Sequence, residues 1–188
     1  MRGHATVDEL VPGFYAEDER ERRLVKDPIV MKGLAWGRPR DGHPEGRVGL
    51  HVADLLRVIE RWGERDPRRG ELRFISLVHD SLKWRVLPWL PKRGANHHAA
   101  RARRFAEGYT DDERLLATIE LHDAPYAVWR QLMRTGEFDG DAFDGMLDRV
   151  PDLGLFLRFA ELDAATEGKD DEPVEWLREQ LALRSAGR

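Results

Sequence analysis

The 188-residue sequence contains no cysteine, which excludes a disulfide framework and a thiolate metal site; any metal ion must be held by histidine and carboxylate. It has no apolar run near the roughly 20 residues that span a bilayer. The first residues, MRGHATVDEL, lack the apolar segment and small-residue cleavage site of a secretory signal, so a cytoplasmic location and no membrane partner are expected. Sustained polar–apolar alternation is also missing, which argues against strands. Lysine is scarce, with five among 31 basic residues. Acids are absent from residues 81–106, although Lys83, Arg85, Lys92, Arg93, Arg101, Arg103 and Arg104 all fall there. The net charge of −4 opposes nonspecific coating of nucleic acid, and no sequence-specific DNA binding is expected.

What is present is a charged globular composition, 41% hydrophobic and 35% charged, long enough for one domain with a sizeable core. Its apolar spacing is helical almost throughout. Val48, His51, Leu55, Val58, Ile59 and Trp62 share one stripe and predict a single helix. Asp66 and Pro67 open a second that reaches His79. Asn96 is expected to cap a third through Phe105, stopping at Gly108. Thr110 and Glu113 form a capping box for a fourth, carrying Leu115, Leu116, Ile119 and His122. Residues 128–133, 143–147 and 153–166 are further candidates, and Pro173 opens the last helix. An all-α fold follows, with a helical core at 45–170, a helical or irregular segment at 1–44 packed on it, and a C-terminal helix at 171–188.

Residues three, four and seven apart share a helix face, so the neighbours of each histidine report its direction. His51 aligns with Leu55 and Val58, His122 with Leu115 and Ile119, and Asp163 with Phe156, Phe159 and Ala160. His98 aligns with Ala102, Phe105 and Ala106 and faces inward, whereas His97 aligns with Arg101 and Arg104 and faces outward. One inward histidine is ordinarily a hydrogen-bonded core residue. Burying His51, His79, Asp80, His98, His122 and Asp163 without partners would cost on the order of several kcal/mol for each charge. Convergence on shared cations resolves that cost, as in helical domains whose facing side chains build a metal site. Nitrogen and oxygen donors suit Mn, Fe, Co, Ni or Zn, with Mg also admissible. Six ligands exceed one tetrahedral zinc and suit two divalent ions, with Asp80 as the bridging carboxylate.

The order histidine, His-Asp, aspartate, here His51, His79-Asp80 and Asp163, resembles the HD-domain superfamily of metal-dependent phosphohydrolases. The intervening His98 and His122 resemble its binuclear branch, and the match covers roughly residues 48–169. The resemblance implies that His51, His79, Asp80 and Asp163 hold one ion and that Asp80, His98 and His122 hold the second. Lys83 stands where many relatives place the lysine of an HD-x-x-K pattern, beside the scissile phosphate. The GHPEG stretch, 42–46, resembles a subset associated with RNA end-healing, which puts His43 and Glu45 near the substrate. No G-x-x-x-x-G-K-[ST] loop is present, so a kinase partner would be a separate polypeptide.

The function expected is hydrolysis of a phosphomonoester or cyclic phosphodiester in a nucleotide or an RNA 2′,3′-phosphate end. Lys83 and cations of the acid-free stretch, Arg101 and Arg104 among them, would neutralise the phosphate. His97 would protonate the leaving oxygen, and Asp123 would orient His122 or be a surface acid. Trp84, Trp89 and Tyr126 are candidates to stack a base, although tryptophans at helical spacing are more often core. Two alternatives share the ligands: a mixed-valent di-iron oxygenase and a nucleotide-binding regulatory module.

Overall fold

Val48, Val52, Leu55, Val58 and Ile59 are buried along one side of a 15-residue helix, Val48–Trp62, which ends at Gly63 in the left-handed conformation at φ 65°. That is the helix its apolar stripe predicts, and the glycine stop is the usual solution to a helix C-terminus. The computed structural model describes residues 5–40 and 44–186. Within these the helices are α1 (Val7–Leu10), α2 (Glu19–Leu24), α3 (Pro28–Leu34), α4 (Val48–Trp62), α5 (Arg68–Val78), α6 (His98–Ala106), α7 (Glu113–Leu121), α8 (Ala124–Thr135), α9 (Gly140–Leu147), α10 (Leu153–Ala164) and α11 (Glu172–Ala186). Short 3-10 turns occupy Lys83–Arg85 and Gly94–Asn96. The fold is all-α; among the described residues the only strand-like feature is an isolated bridge between Gly37 and Arg47. No helix among the described residues is long and apolar enough to cross a membrane.

Three caps differ from those expected: Pro67, not Asp66, holds the N-cap position of α5, and the Asp66 carboxylate instead accepts from the Gly70 N–H at 3.3 Å. His97, not Asn96, caps α6, accepting from the Ala99 N–H at 3.3 Å, because the Asn96 amide is occupied by loop carbonyls. Asp112, not Thr110, caps α7; the Thr110 hydroxyl instead accepts from the Asp112 N–H at 3.1 Å.

α4, α5, α6, α7 and α10 surround the main core, to which Leu10, Leu24, Val30 and Leu34 of the first three helices also belong. The N-terminal segment is fastened by a buried bidentate pair: Arg73 of α5 donates to Glu21 of α2 through Nε at 2.7 Å and Nη2 at 2.8 Å. Planar two-point pairing of this kind fixes orientation as well as position. A second cluster joins Phe143 and Met146 of α9, Phe156 of α10 and Leu177 of α11. α10 therefore serves both clusters, with Phe156 in one and Phe159 in the other. Gly33 of α3 matters for the site: a Cβ there would lie 1.9 Å from the Ser81 carbonyl oxygen, so only glycine lets α3 back the turn that follows α5.

Candidate metal centre

α5 and α7 end in the same way. His79 and His122 are the C-cap residues of these helices, each followed by aspartate, and each turns its Nδ1 back onto its own helix. His79 Nδ1 lies 3.2 Å and 3.1 Å from the carbonyl oxygens of Ile75 and Ser76, and His122 Nδ1 lies 2.8 Å from that of Ile119. The last carbonyls of a helix lack intrahelical partners. An imidazole that donates Nδ1–H to them presents Nε2 with a lone pair, the tautomer a metal ligand requires.

Around these two rings the chain brings together the other expected ligands. His51 from α4 has Nε2 2.9 Å from Asp163 Oδ1 of α10, and its Nδ1 is 3.8 Å from Glu45 Oε1. Ligand-type atoms of His51, His79 and Asp80 lie within 4.8 Å of one another, as do those of Asp80, His98 and His122. Asp80 thus belongs to both groups and divides its oxygens between them. Oδ2 lies 3.5 Å from His79 Nε2, while Oδ1 lies 3.3 Å from His98 Nε2 and 3.7 Å from His122 Nε2.

These distances allow a test of fit. With ligands about 2.1 Å from a cation, neighbouring donors stand about 3.0 Å apart in an octahedron and about 3.4 Å apart in a tetrahedron. His98 and His122 hold their Nε2 atoms 3.4 Å apart. His79 Nε2, Asp80 Oδ1 and Asp163 Oδ1 are buried with no aligned hydrogen bond. Leaving such atoms unsatisfied costs about 1–3 kcal/mol each. Nitrogen and oxygen atoms that converge and face one another, several of them with no aligned hydrogen bond, fit a cation.

The electrostatics agree. Burial disfavours the charge on Asp80, yet the Lys83 ammonium and His79 hold its carboxyl well below the usual range. Asp163 is likewise held down, against burial, by Lys169 and His51. Burial lowers His79 to about 3, which leaves that ring neutral. His98 behaves oppositely: burial works against its charge, but Asp123 and Asp80 raise it to about 9, so without a metal it keeps a proton. A cation entering on that side takes the proton's place.

A cavity of about 540 Å³ opens onto the centre, lined by His79, Asp80, His122 and Asp163 and by three cations, Arg40, Lys83 and Lys169. Lys83 Nζ lies 2.5 Å from Asp80 Oδ2, the oxygen that also faces His79, and Lys169 Nζ lies 3.2 Å from Asp163 Oδ2, whose other oxygen faces His51. Of the aromatic candidates only Tyr126 lines this cavity; it stacks on Trp129 at 5.9 Å between centroids. Trp84 lies under Lys32, 4.0 Å from its ring, and Trp89 is 74% exposed elsewhere.

Arg101 and Arg104 do not line the cavity. They continue the outward stripe of α6, where Arg101 donates to Asn96 Oδ1 at 3.1 Å and Arg104 is exposed. His97 is half-buried rather than turned to solvent, with its ring 4.5 Å from that of His98. Burial lowers its pKa, which disfavours the proton-donor role expected from its type, and its Nδ1 is occupied as the cap. His43 lies outside the described residues.

Lys169 and Arg40 are side chains the sequence pattern did not place at the centre, whereas Asp123 was expected either to orient His122 or to be a surface acid. Asp123 Oδ2 lies 3.0 Å from His98 Nε2 and Oδ1 3.4 Å from His122 Nε2, a ligand's position rather than a supporting one. A signal for it existed: His122-Asp123 repeats the His79-Asp80 dipeptide at the same helix terminus. No family model matches the chain, and neither a curated protein nor a solved structure does.

Proposed function

We propose that the chain is a metal-dependent phosphohydrolase of the HD type, acting on a phosphomonoester or cyclic phosphodiester of a nucleotide. The observation that carries this reading is Asp80, whose two oxygens serve two groups of donors while Lys83 touches one of them at the cavity wall. His51, His79, Asp80 and Asp163 would hold one divalent cation and Asp80, His98 and His122 another, supplying a nucleophilic hydroxide near neutral pH and Lewis acidity toward a phosphoryl oxygen. Lys83 and Lys169 flank the donors from opposite carboxylates, so a phosphate entering the cavity meets an ammonium on either side. As charge grows on its equatorial oxygens, fixed cations in a partly buried site stabilise it without reorganisation. Lysine suits this role because its ammonium is a compact point charge. Glu45 stands behind His51 and steadies the ring from its Nδ1 side. Tyr126, on the cavity wall and backed by Trp129, offers a flat face to a nucleobase.

A matrix of divalent metals against nucleoside monophosphates, 2′,3′-cyclic nucleotides and p-nitrophenyl phosphate tests this. The wild type is expected to turn over at least one of them with a transition metal, and both Asp80→Ala and His98→Ala to lose that activity. Absence of turnover with every metal, or full activity in both variants, rejects the reading.

A further inference from the structure

Of the seven cations in the acid-free stretch 81–106, only Lys83 reaches the cavity. Arg103 is taken up by Glu113, Glu120 and Glu107. Lys92, Arg93 and Arg104 are exposed and have no carboxylate partner among the described residues.

The loop that carries Lys92 and Arg93 is held in shape. Buried Asn96 accepts from the Leu87 N–H at 3.0 Å and places its amide nitrogen 3.1 Å, 3.2 Å and 3.1 Å from the carbonyl oxygens of Leu87, Leu90 and Pro91. Arg101 reinforces it from α6. On this preset loop Trp89 stands 74% exposed, an indole kept in water at a cost the core does not repay. Along α6, Arg104 follows Arg101 by three residues, about 4.5 Å along the helix axis and on neighbouring positions of one face. The result is an exposed ring on the same loop as two unpaired cations, with a third, Arg104, on the helix to which Arg101 ties that loop. A fixed aromatic platform with a cationic track is the combination that holds bases and phosphates of an unpaired strand. A lipid surface would call for a broader apolar face than the loop's two large exposed apolar side chains, Trp89 and Leu90.

We propose that the 86–96 loop and the Arg101–Arg104 face of α6 bind single-stranded nucleic acid, with Trp89 stacking on a base and Lys92, Arg93 and Arg104 meeting successive phosphates. This binding is independent of hydrolysis, so it is measured on the full chain in EDTA. The probe is a fluorescent 12-nucleotide single strand, as RNA and as DNA, followed by anisotropy across a salt series. Wild-type protein is expected to bind with salt-sensitive affinity and quenched tryptophan emission. Trp89→Ala should weaken binding at least fivefold, and the double variant Lys92→Glu/Arg93→Glu at least tenfold, with the slope of log K against log salt reduced by ~1.4. Circular dichroism melts of these solvent-facing variants should match the wild type. No binding of either strand, unchanged affinity in both variants, or binding to phosphatidylserine vesicles in place of the oligonucleotides overturns the proposal.

Discussion

At the ends of α5 and α7 the chain builds one construction twice: an apolar helix, a C-cap histidine whose Nδ1 folds back onto its last carbonyls, and an aspartate in the first residue beyond. The surroundings then diverge. The Asp80 side chain is 5% exposed, is contacted by Lys83 three residues on and meets donors of both groups. The Asp123 side chain is 41% exposed, is followed by Ala124-Pro125 and meets His97, His98 and His122 but not the His51 group. The dipeptide is thus a device for aiming an imidazole. Whether its aspartate bridges the centre or borders it depends on how deeply the turn is packed, and Gly33 against Ser81 sets that depth for the first copy.

Asp80→Ala breaks the comparison most severely, because it removes the one side chain common to both donor groups. Activity is expected to fall about 10³-fold or more, beyond the loss of one transition-state donor. Bound metal measured by elemental analysis should fall on both sides of the centre. Lys83→Met keeps every donor and removes only the ammonium that distinguishes the first turn. It should lower kcat about 10²-fold with metal content retained, so metal loss in this variant would move Lys83 from substrate to ligand support. Asp123→Asn tests the second turn. An affinity loss of about 10–100-fold is expected for the ion on the His98 side, with the His51 side unchanged by titration calorimetry.

The all-α fold was readable from the sequence because its strongest helices each carry one apolar stripe and one stop signal; α4 has both and appears with the predicted ends. The α6 cap was misplaced by one residue because a propensity cannot reveal that the loop takes the Asn96 amide first. Facing directions led to His51, His98, His122 and Asp163 because these lie on or just past helical stripes. Asp123 was left between orienting His122 and being a surface acid, since periodicity ends with the helix and gives no direction beyond it. Lys169 and Arg40 come from connecting segments, where only the fold decides what meets the centre. Charge patterning gave the sign of residues 81–106 but not their direction, which is why Arg101 and Arg104 point away from the cavity that Lys83 enters.

The smallest effect separates the two sides of the centre, His79 on one and His98 of α6 on the other, by protons alone. In the metal-free protein His98 is raised to about 9, against burial, by Asp123 and Asp80, whereas burial lowers His79 to about 3. At pH 7 the His98 ring therefore carries a proton that a cation must displace, and the His79 ring does not. Asp123 and Asp80 raise His122 as well, against burial, so below pH 9 affinity on the His98 side should drop at least about tenfold for each unit of acidification, and it should level off above that point. His79 adds no such dependence anywhere between pH 5 and 9. Competitive metal titrations at pH 6, 7 and 8 measure both slopes, and Asp123→Asn should flatten the steeper one because it removes a carboxylate that holds the proton in place. Equal slopes in the wild type would mean that the two sides of the centre differ in depth without differing in charge.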